Sequence, residues 1–171
     1  ELLILKIRHG DQKAFELLVK RWNKKLLSFS YKYTKDIEAS KDIVQDTWLV
    51  VYKKIGKLKD TRKFSTWAFR IVYNKVIDWL NAKKKVSDIS HEIQYQSELN
   101  ESVEKLNIKA YLERLPAQQK TILTLFYLES QSIKEISEIL NIPTGTIKSR
   151  IFYAREKLRK IIKHHNYESI R

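Results

Sequence analysis

The sequence predicts an all-α protein: two small helical domains joined by a flexible acidic linker, the second containing a helix-turn-helix. Three observations carry this. Helix breakers are scarce, with 3 Gly and 2 Pro in 171 residues, too few for a turn-rich β fold. Apolar residues recur at helical spacing through long stretches of both halves. Charge falls into three blocks: residues 1–85 carry 21 basic and 9 acidic side chains (net +12), residues 86–104 no basic and 5 acidic ones (net −5), and residues 105–171 13 basic and 6 acidic (net +7). The middle block opens Val86-Ser87-Asp88-Ile89-Ser90-His91-Glu92-Ile93-Gln94 and lacks sustained helical periodicity. The expected domains are therefore 1–85 and 105–171, with 86–104 as the linker.

In the first domain Phe15, Leu18, Val19, Trp22, Leu26 and Phe29 follow the i, i+3, i+4, i+7 rule and mark one helix. Val44, Trp48, Val51, Tyr52 and Ile55 mark a second, and Phe69, Val72, Tyr73, Val76 and Leu80 a third. Each stripe reads as the core of a helix bundle. Gly56 to Lys63 form a basic loop between the second and third helices.

The second domain is expected to open with a helix near Val103 to Arg114, broken at Leu115-Pro116, with Pro in the first turn of the next helix. That helix carries Ile122, Leu123, Leu125 and Phe126. Ser132-Ile133-Lys134-Glu135 is a capping-box pattern, in which Ser caps and Glu three residues later reaches back. A short helix with Ile133, Ile136, Ile139 and Leu140 follows. A turn from Asn141 to Gly145 then leads into a long helix from about Thr146 to Lys163. Two helices around such a turn read as a helix-turn-helix.

Composition narrows the function. A net charge of +14 points to a polyanionic partner, and with the helix content to nucleic acid. No stretch approaches the roughly 20 apolar residues of a membrane span, so no membrane insertion is expected. Glu1 to Ile7 is too short and too soon charged for a signal peptide, and a cytoplasmic location is expected. The absence of Cys removes disulfides and thiolate metal sites. His9, His91, His164 and His165 form no set with metal spacing, and no Gly-rich phosphate loop occurs. Neither a cofactor, a bound metal nor an enzymatic activity is expected.

Three helix faces are candidate binding surfaces. On the last helix, drawn at about 100° per residue, Ile147, Ile151, Ala154, Leu158 and Ile161 form the core side. Lys148, Ser149, Phe152, Arg155 and Arg159 form another side, with the donors, charge and apolar reach that a major groove accepts. On the third helix of the first domain, Trp67, Arg70, Asn74 and Asp78 line up opposite the apolar stripe. An aromatic for stacking, a cation for phosphate and an amide for a base edge suit single-stranded DNA. The plainer alternative packs Trp67 under the preceding loop and puts Asp78 in a helix salt bridge. On the second helix Asp42, Gln45 and Asp46 share a face that is acidic within a +12 domain. It is either a solvated face or one for a protein partner with basic residues.

Asp42-Ile43-Val44-Gln45-Asp46-Thr47-Trp48 resembles the segment by which sigma factors grip the clamp helices of the polymerase β′ subunit. The stretch from Phe64 to Asp78, with Trp67, Asn74 and Asp78 in register, resembles the promoter-melting motif W-L-x-x-I-A-x-N-x-x-x-D. Ile142-Pro143-Thr144-Gly145-Thr146-Ile147-Lys148-Ser149-Arg150 resembles region four with its G-T-V-K-S-R signature. Together, and in this order, they resemble the extracytoplasmic-function type of sigma factor. The resemblance implies a region two that binds core RNA polymerase at the β′ clamp through Asp42, Gln45 and Asp46. Trp67, Arg70, Asn74 and Asp78 would serve the minus-ten element, with the loop from Gly56 to Ser65 as pocket rim. It further implies a region four, against the β flap, that reads the minus-thirty-five element through Lys148, Ser149, Phe152, Tyr153 and Arg155. An anti-sigma factor is the further partner implied. Many relatives have Arg where this chain has Tyr153. A stand-alone helix-turn-helix regulator is the alternative, and the acidic face and the Trp67-to-Asp78 motif speak against it.

Overall fold

The structure, a computed structural model, describes residues 1–87, 111–112 and 114–168. Residues 88–104 of the expected linker and most of the helix expected near Val103 to Arg114 lie outside the described residues, whereas Val86 and Ser87, expected to open the linker, are helical. Contacts divide the chain into two compact units, Glu1–His91 and Glu92–Arg171. Among the described residues all regular structure is helical, and no helix is long and apolar enough to cross a membrane.

The first unit holds α1 (Leu2–Arg8), α2 (Gln12–Thr34), α3 (Ile37–Lys54) and α4 (Phe64–Ser87). Asp11 starts α2 by accepting from the Ala14 amide at 3.0 Å, satisfying one of the orphan donors of the first turn. Lys35, left-handed at φ 52°, ends it. One residue later Asp36 caps α3, accepting from the amides of Glu38 (3.0 Å) and Ala39 (3.1 Å). The α2–α3 corner is locked by a 2.6 Å hydroxyl contact between buried Thr34 and Ser40.

The core is where the three stripes meet. Leu18, Leu26, Phe29, Val44, Val51, Ile55, Phe69, Val72 and Val76 are all buried. Phe29 and Phe69 meet edge to face at 5.1 Å, the geometry that aromatic quadrupoles favour. Trp48 is buried with its indole N–H donating to Asn23 at 3.0 Å. Tyr52 departs from the expected stripe. It is 61 % exposed and lies edge-on against Phe15, centroids 5.2 Å apart. The ring covers the bundle from outside because Val51 already fills the inward position of that turn.

In the second unit Pro116 is the N-cap of α5 (Ala117–Leu123), one position before the expected first turn. A π turn, Thr124–Leu128, continues it, with the Glu129 amide donating to the Thr124 carbonyl at 3.1 Å. The capping box of α6 (Ile133–Leu140) is present: the Ser132 amide donates to the Glu135 carboxylate at 2.8 Å, and the Glu135 amide to the Ser132 hydroxyl at 3.3 Å. Asn141 ends α6 in the left-handed conformation, φ 55°, a role its short polar side chain tolerates. The Ser137 hydroxyl donates to the Ile142 carbonyl at 2.6 Å and fixes the turn. Helix α7 (Thr144–Glu168) begins earlier than expected, so Gly145 lies in its first turn rather than in the connection. Ile136, Ile139, Ile147, Ile151, Ala154 and Leu158 bury together between α6 and α7.

Candidate functional site

Burial of Ile43, Val44 and Thr47 turns Asp42, Gln45 and Asp46 outward on α3, where all three are exposed. They border an open recess of about 400 Å³ between α3 and α4, lined by Asp42, Ile43, Asp46, Lys75, Asp78 and Trp79. Lys75 reaches across from α4 and donates to Asp46 at 3.0 Å. With side chains 27 % and 61 % exposed, this pair contributes little stability; its consequence is electrostatic, since it neutralises one of three carboxylates in the recess. Asp78 thus stands beside the α3 carboxylates, at the edge of the face on which the sequence aligned it with Trp67.

The other members of that face separate by exposure. Arg70 and Asn74 are exposed, one turn apart. Trp67 is half-buried, its indole edge-on to buried Phe64 at 6.2 Å, and Phe64 packs in turn against Trp22 at 5.4 Å. Trp67 is therefore packed in part at the start of α4, as the plainer alternative expects, whereas Asp78 makes no ion pair among the described residues.

The basic loop before α4 is ordered by two 3₁₀ turns, Ile55–Lys57 and Thr61–Lys63. Asp60 accepts from both the amide and the guanidinium of Arg62, each at 3.0 Å. The Arg62 side chain and amide hold the Asp60 carboxyl below its ordinary value of 3.8, and Asp60 raises Arg62 in return. A depressed carboxyl stabilises the turn above its ordinary value and loses that contribution only as pH falls through the lowered one, so the turn keeps its cap at neutral pH. From the other side, the Arg8 guanidinium of α1 donates to the Leu58 carbonyl. Lys57, Lys59 and Arg62 are left exposed along the loop.

On α7 the buried side is Ile147, Ile151, Ala154 and Leu158. Lys148, Ser149, Phe152, Tyr153 and Arg155 are all exposed, Phe152 by 60 % and Tyr153 by 65 %. The two rings touch edge to face at 5.5 Å. The Ser149 hydroxyl donates back to the Thr146 carbonyl at 3.0 Å, leaving its lone pairs outward. Arg159 is tied to Glu156 at 2.7 Å, which sets it apart from Lys148 and Arg155. Among the described residues no group of His, Cys, Asp or Glu could hold a metal ion.

Two residues with a part in these surfaces escape sequence reasoning. Lys75 sits between the aligned Asn74 and the core Val76, and only the α3–α4 packing brings it to Asp46, 29 positions away. Arg8 acts on a loop 50 positions away.

Two helical units, one carrying an exposed basic helix-turn-helix, define a DNA-binding transcription factor. Residues 18–86 match Sigma-70 region 2 and residues 105–158 match Sigma-70 region 4. The chain is 32 % identical to the ECF RNA polymerase sigma factor SigW of Bacillus subtilis (strain 168), over 92 % of this chain and 93 % of that one. It is 30 % identical to the ECF RNA polymerase sigma-E factor of Haemophilus influenzae, covering 92 % of each. Its fold is similar to that of the sigma factor RpoE of Bartonella quintana, solved in complex with the anti-sigma factor NepR (TM-score 0.69, 22 % identity, 88 % of this chain and 98 % of that one). The chain belongs to the extracytoplasmic-function sigma factors of RNA polymerase and serves transcription initiation.

Proposed function

We propose that this sigma factor divides its work among three surfaces. The α3 face of Asp42, Gln45 and Asp46 docks on basic residues of the polymerase β′ clamp. Arg70 and Asn74, with the exposed edge of Trp67, the rim at Asp78 and the basic loop, hold unpaired bases of the minus-ten element. Lys148, Ser149, Phe152, Tyr153 and Arg155 enter the major groove of the minus-thirty-five element, while the second unit meets the β flap. The observation that carries this reading is the exposed face of Asp42, Gln45 and Asp46 on α3, which gathers two carboxylates within a stretch, residues 1–85, of net charge +12. Such a face repels DNA and attracts a basic protein surface.

The protein works in the cytoplasm, without catalysis of its own, and an anti-sigma factor holds it inactive; the RpoE–NepR complex of the similar fold supports that partner. Run-off transcription with core polymerase, with and without this protein, tests the reading. Promoter-specific transcripts are expected only with it. Duplex binding without co-purification of core polymerase would instead make it a stand-alone regulator.

A further inference from the structure

Two neighbouring aromatic rings stand in water at the outermost part of α7. At about 100° per residue, Phe152 and Tyr153 fall on either side of the direction opposite the buried stripe, with Ser149 between them one turn earlier. They are 60 % and 65 % exposed, and each is the other's ring contact, at 5.5 Å and 78°. Neither supports the core, which Ile147, Ile151, Ala154 and Leu158 fill. Lys148 and Arg155, seven residues apart, lie together on one side of the pair, beyond Phe152, exposed and without an ion pair among the described residues. Glu156, paired with Arg159, falls between the two rings one turn later. A carboxylate between two rings makes this arc unsuited to phosphate contact, while Lys148 and Arg155 suit the phosphates at one groove wall. The floor of the major groove presents one apolar group, the 5-methyl of thymine.

We propose that Phe152 and Tyr153 form a methyl-reading wedge that recognises the thymine 5-methyl groups of two adjacent base pairs. The inference rests on α7 being the duplex-reading helix and adds the chemical group it reads. The ring separation of 5.5 Å compares with about 3.4 Å of rise per base pair, so the two rings cover neighbouring steps rather than one base. Tyr153 gives the wedge its second ring. An Arg in its place would present a donor for guanine or phosphate, so the wedge shifts preference toward thymine where that ring lies.

The test uses the full chain assembled with core polymerase. A library randomised across the minus-thirty-five window yields the bound duplexes, and each thymine in a selected duplex is then replaced by deoxyuridine, which removes only the methyl. Each methyl read is expected to be worth about four-fold in affinity. That loss should appear at two adjacent positions. Tyr153→Ala should abolish it at one and Phe152→Ala at the other, while Tyr153→Phe keeps it. Both side chains are exposed, so the variants fold, and thermal melting of each checks this. No uracil penalty at any position overturns the proposal. So does a penalty that survives in both Ala variants, because another group then reads the methyl. Arg155→Ala distinguishes the failure of the wedge from that of the surface beneath it. If it weakens all duplexes alike while uracil is silent, α7 reads DNA without the wedge. If Arg155→Ala and both aromatic variants leave minus-thirty-five binding untouched, the assignment of α7 falls, and the wedge with it.

Discussion

Asn74 stands exposed on α4, one turn after Arg70 and clear of the packed side of the helix. An amide there can pair with the edge of an extruded base, the way single-stranded readout gains specificity. Asn74→Ala should impair open-complex formation while leaving polymerase affinity and folding intact, because Asn is a weak helix former and Ala a strong one. Permanganate reactivity of the minus-ten thymines reports melting, and reactivity equal to wild type would exclude the role. The recess gives a paired prediction of opposite sign. Lys75 neutralises Asp46 at 3.0 Å and is thus a built-in competitor for a basic partner. Lys75→Gln should tighten core-polymerase binding by a few-fold, and Asp42→Arg should weaken it by at least ten-fold through like-charge contact. Titration against labelled core enzyme measures both, and a change of the same sign in the two variants would dissociate the recess from polymerase. At this scale the sequence revealed the exposed α3 triad through helical spacing alone. It could not reveal Lys75, whose role arises from a contact between helices, or the half-burial of Trp67, which packs against Phe64, itself held by Trp22 of another helix.

Elements were legible where their ends are chemically marked. The capping box at Ser132 and Glu135 reads directly from the chain because two side chains satisfy two backbone donors at fixed offsets. Ser132→Ala should cost about 1 kcal/mol in the stability of the second unit, seen as a lower midpoint in urea, and Ser132→Asp should restore most of it. An unchanged midpoint would mean that burial of Ile136 and Ile139 alone holds α6 in place. Where marks are absent the sequence says less. Helix α1 carries no such mark: its N-cap position, Glu1, makes no side-chain cap bond, its helix has 7 residues, and of these Ile4 alone is buried, so the periodic signal is one residue deep. The π turn at Thr124–Leu128 inserts a residue into an apolar run whose spacing fits an ordinary helix equally well. The start of α7 moved forward to Thr144 because Pro143, without an amide hydrogen to satisfy, sits comfortably just before a helix, so the helix need not wait for Gly145 to pass.

Across the whole molecule, charge organises function as clearly as hydrophobicity organises the fold. The family regions match residues 18–86 and 105–158, and the stretch between them carries Asp88, Glu92, Glu98, Glu101 and Glu104 without one Lys or Arg up to residue 104. The sequence shows this charge reversal and its position; which cations the acids meet is a tertiary property that spacing cannot supply. If these acids meet the basic surfaces proposed to read DNA, they compete with promoter phosphates at the effective concentration of a covalently linked group, about millimolar for a short connection. The free chain should then bind duplex DNA weakly, and docking on polymerase should relieve the competition. Neutralising the five acids (Asp88→Asn with Glu92, Glu98, Glu101 and Glu104→Gln) should strengthen duplex binding by the free chain several-fold at low salt and leave that of the holoenzyme nearly unchanged. The salt dependence tells competition from a mere rise in net charge. Each cation released to a phosphate should steepen the slope of log affinity against log salt by about 0.9, whereas a distant charge acts only through a potential already screened over about 10 Å at 0.1 M salt. Fluorescence anisotropy with one promoter duplex at several salt concentrations measures both quantities. Equal slopes and equal affinities for the parent and the neutral variant would mean that the acidic stretch leaves the reading surfaces free, and that weak binding by the free chain has its origin in the helices themselves.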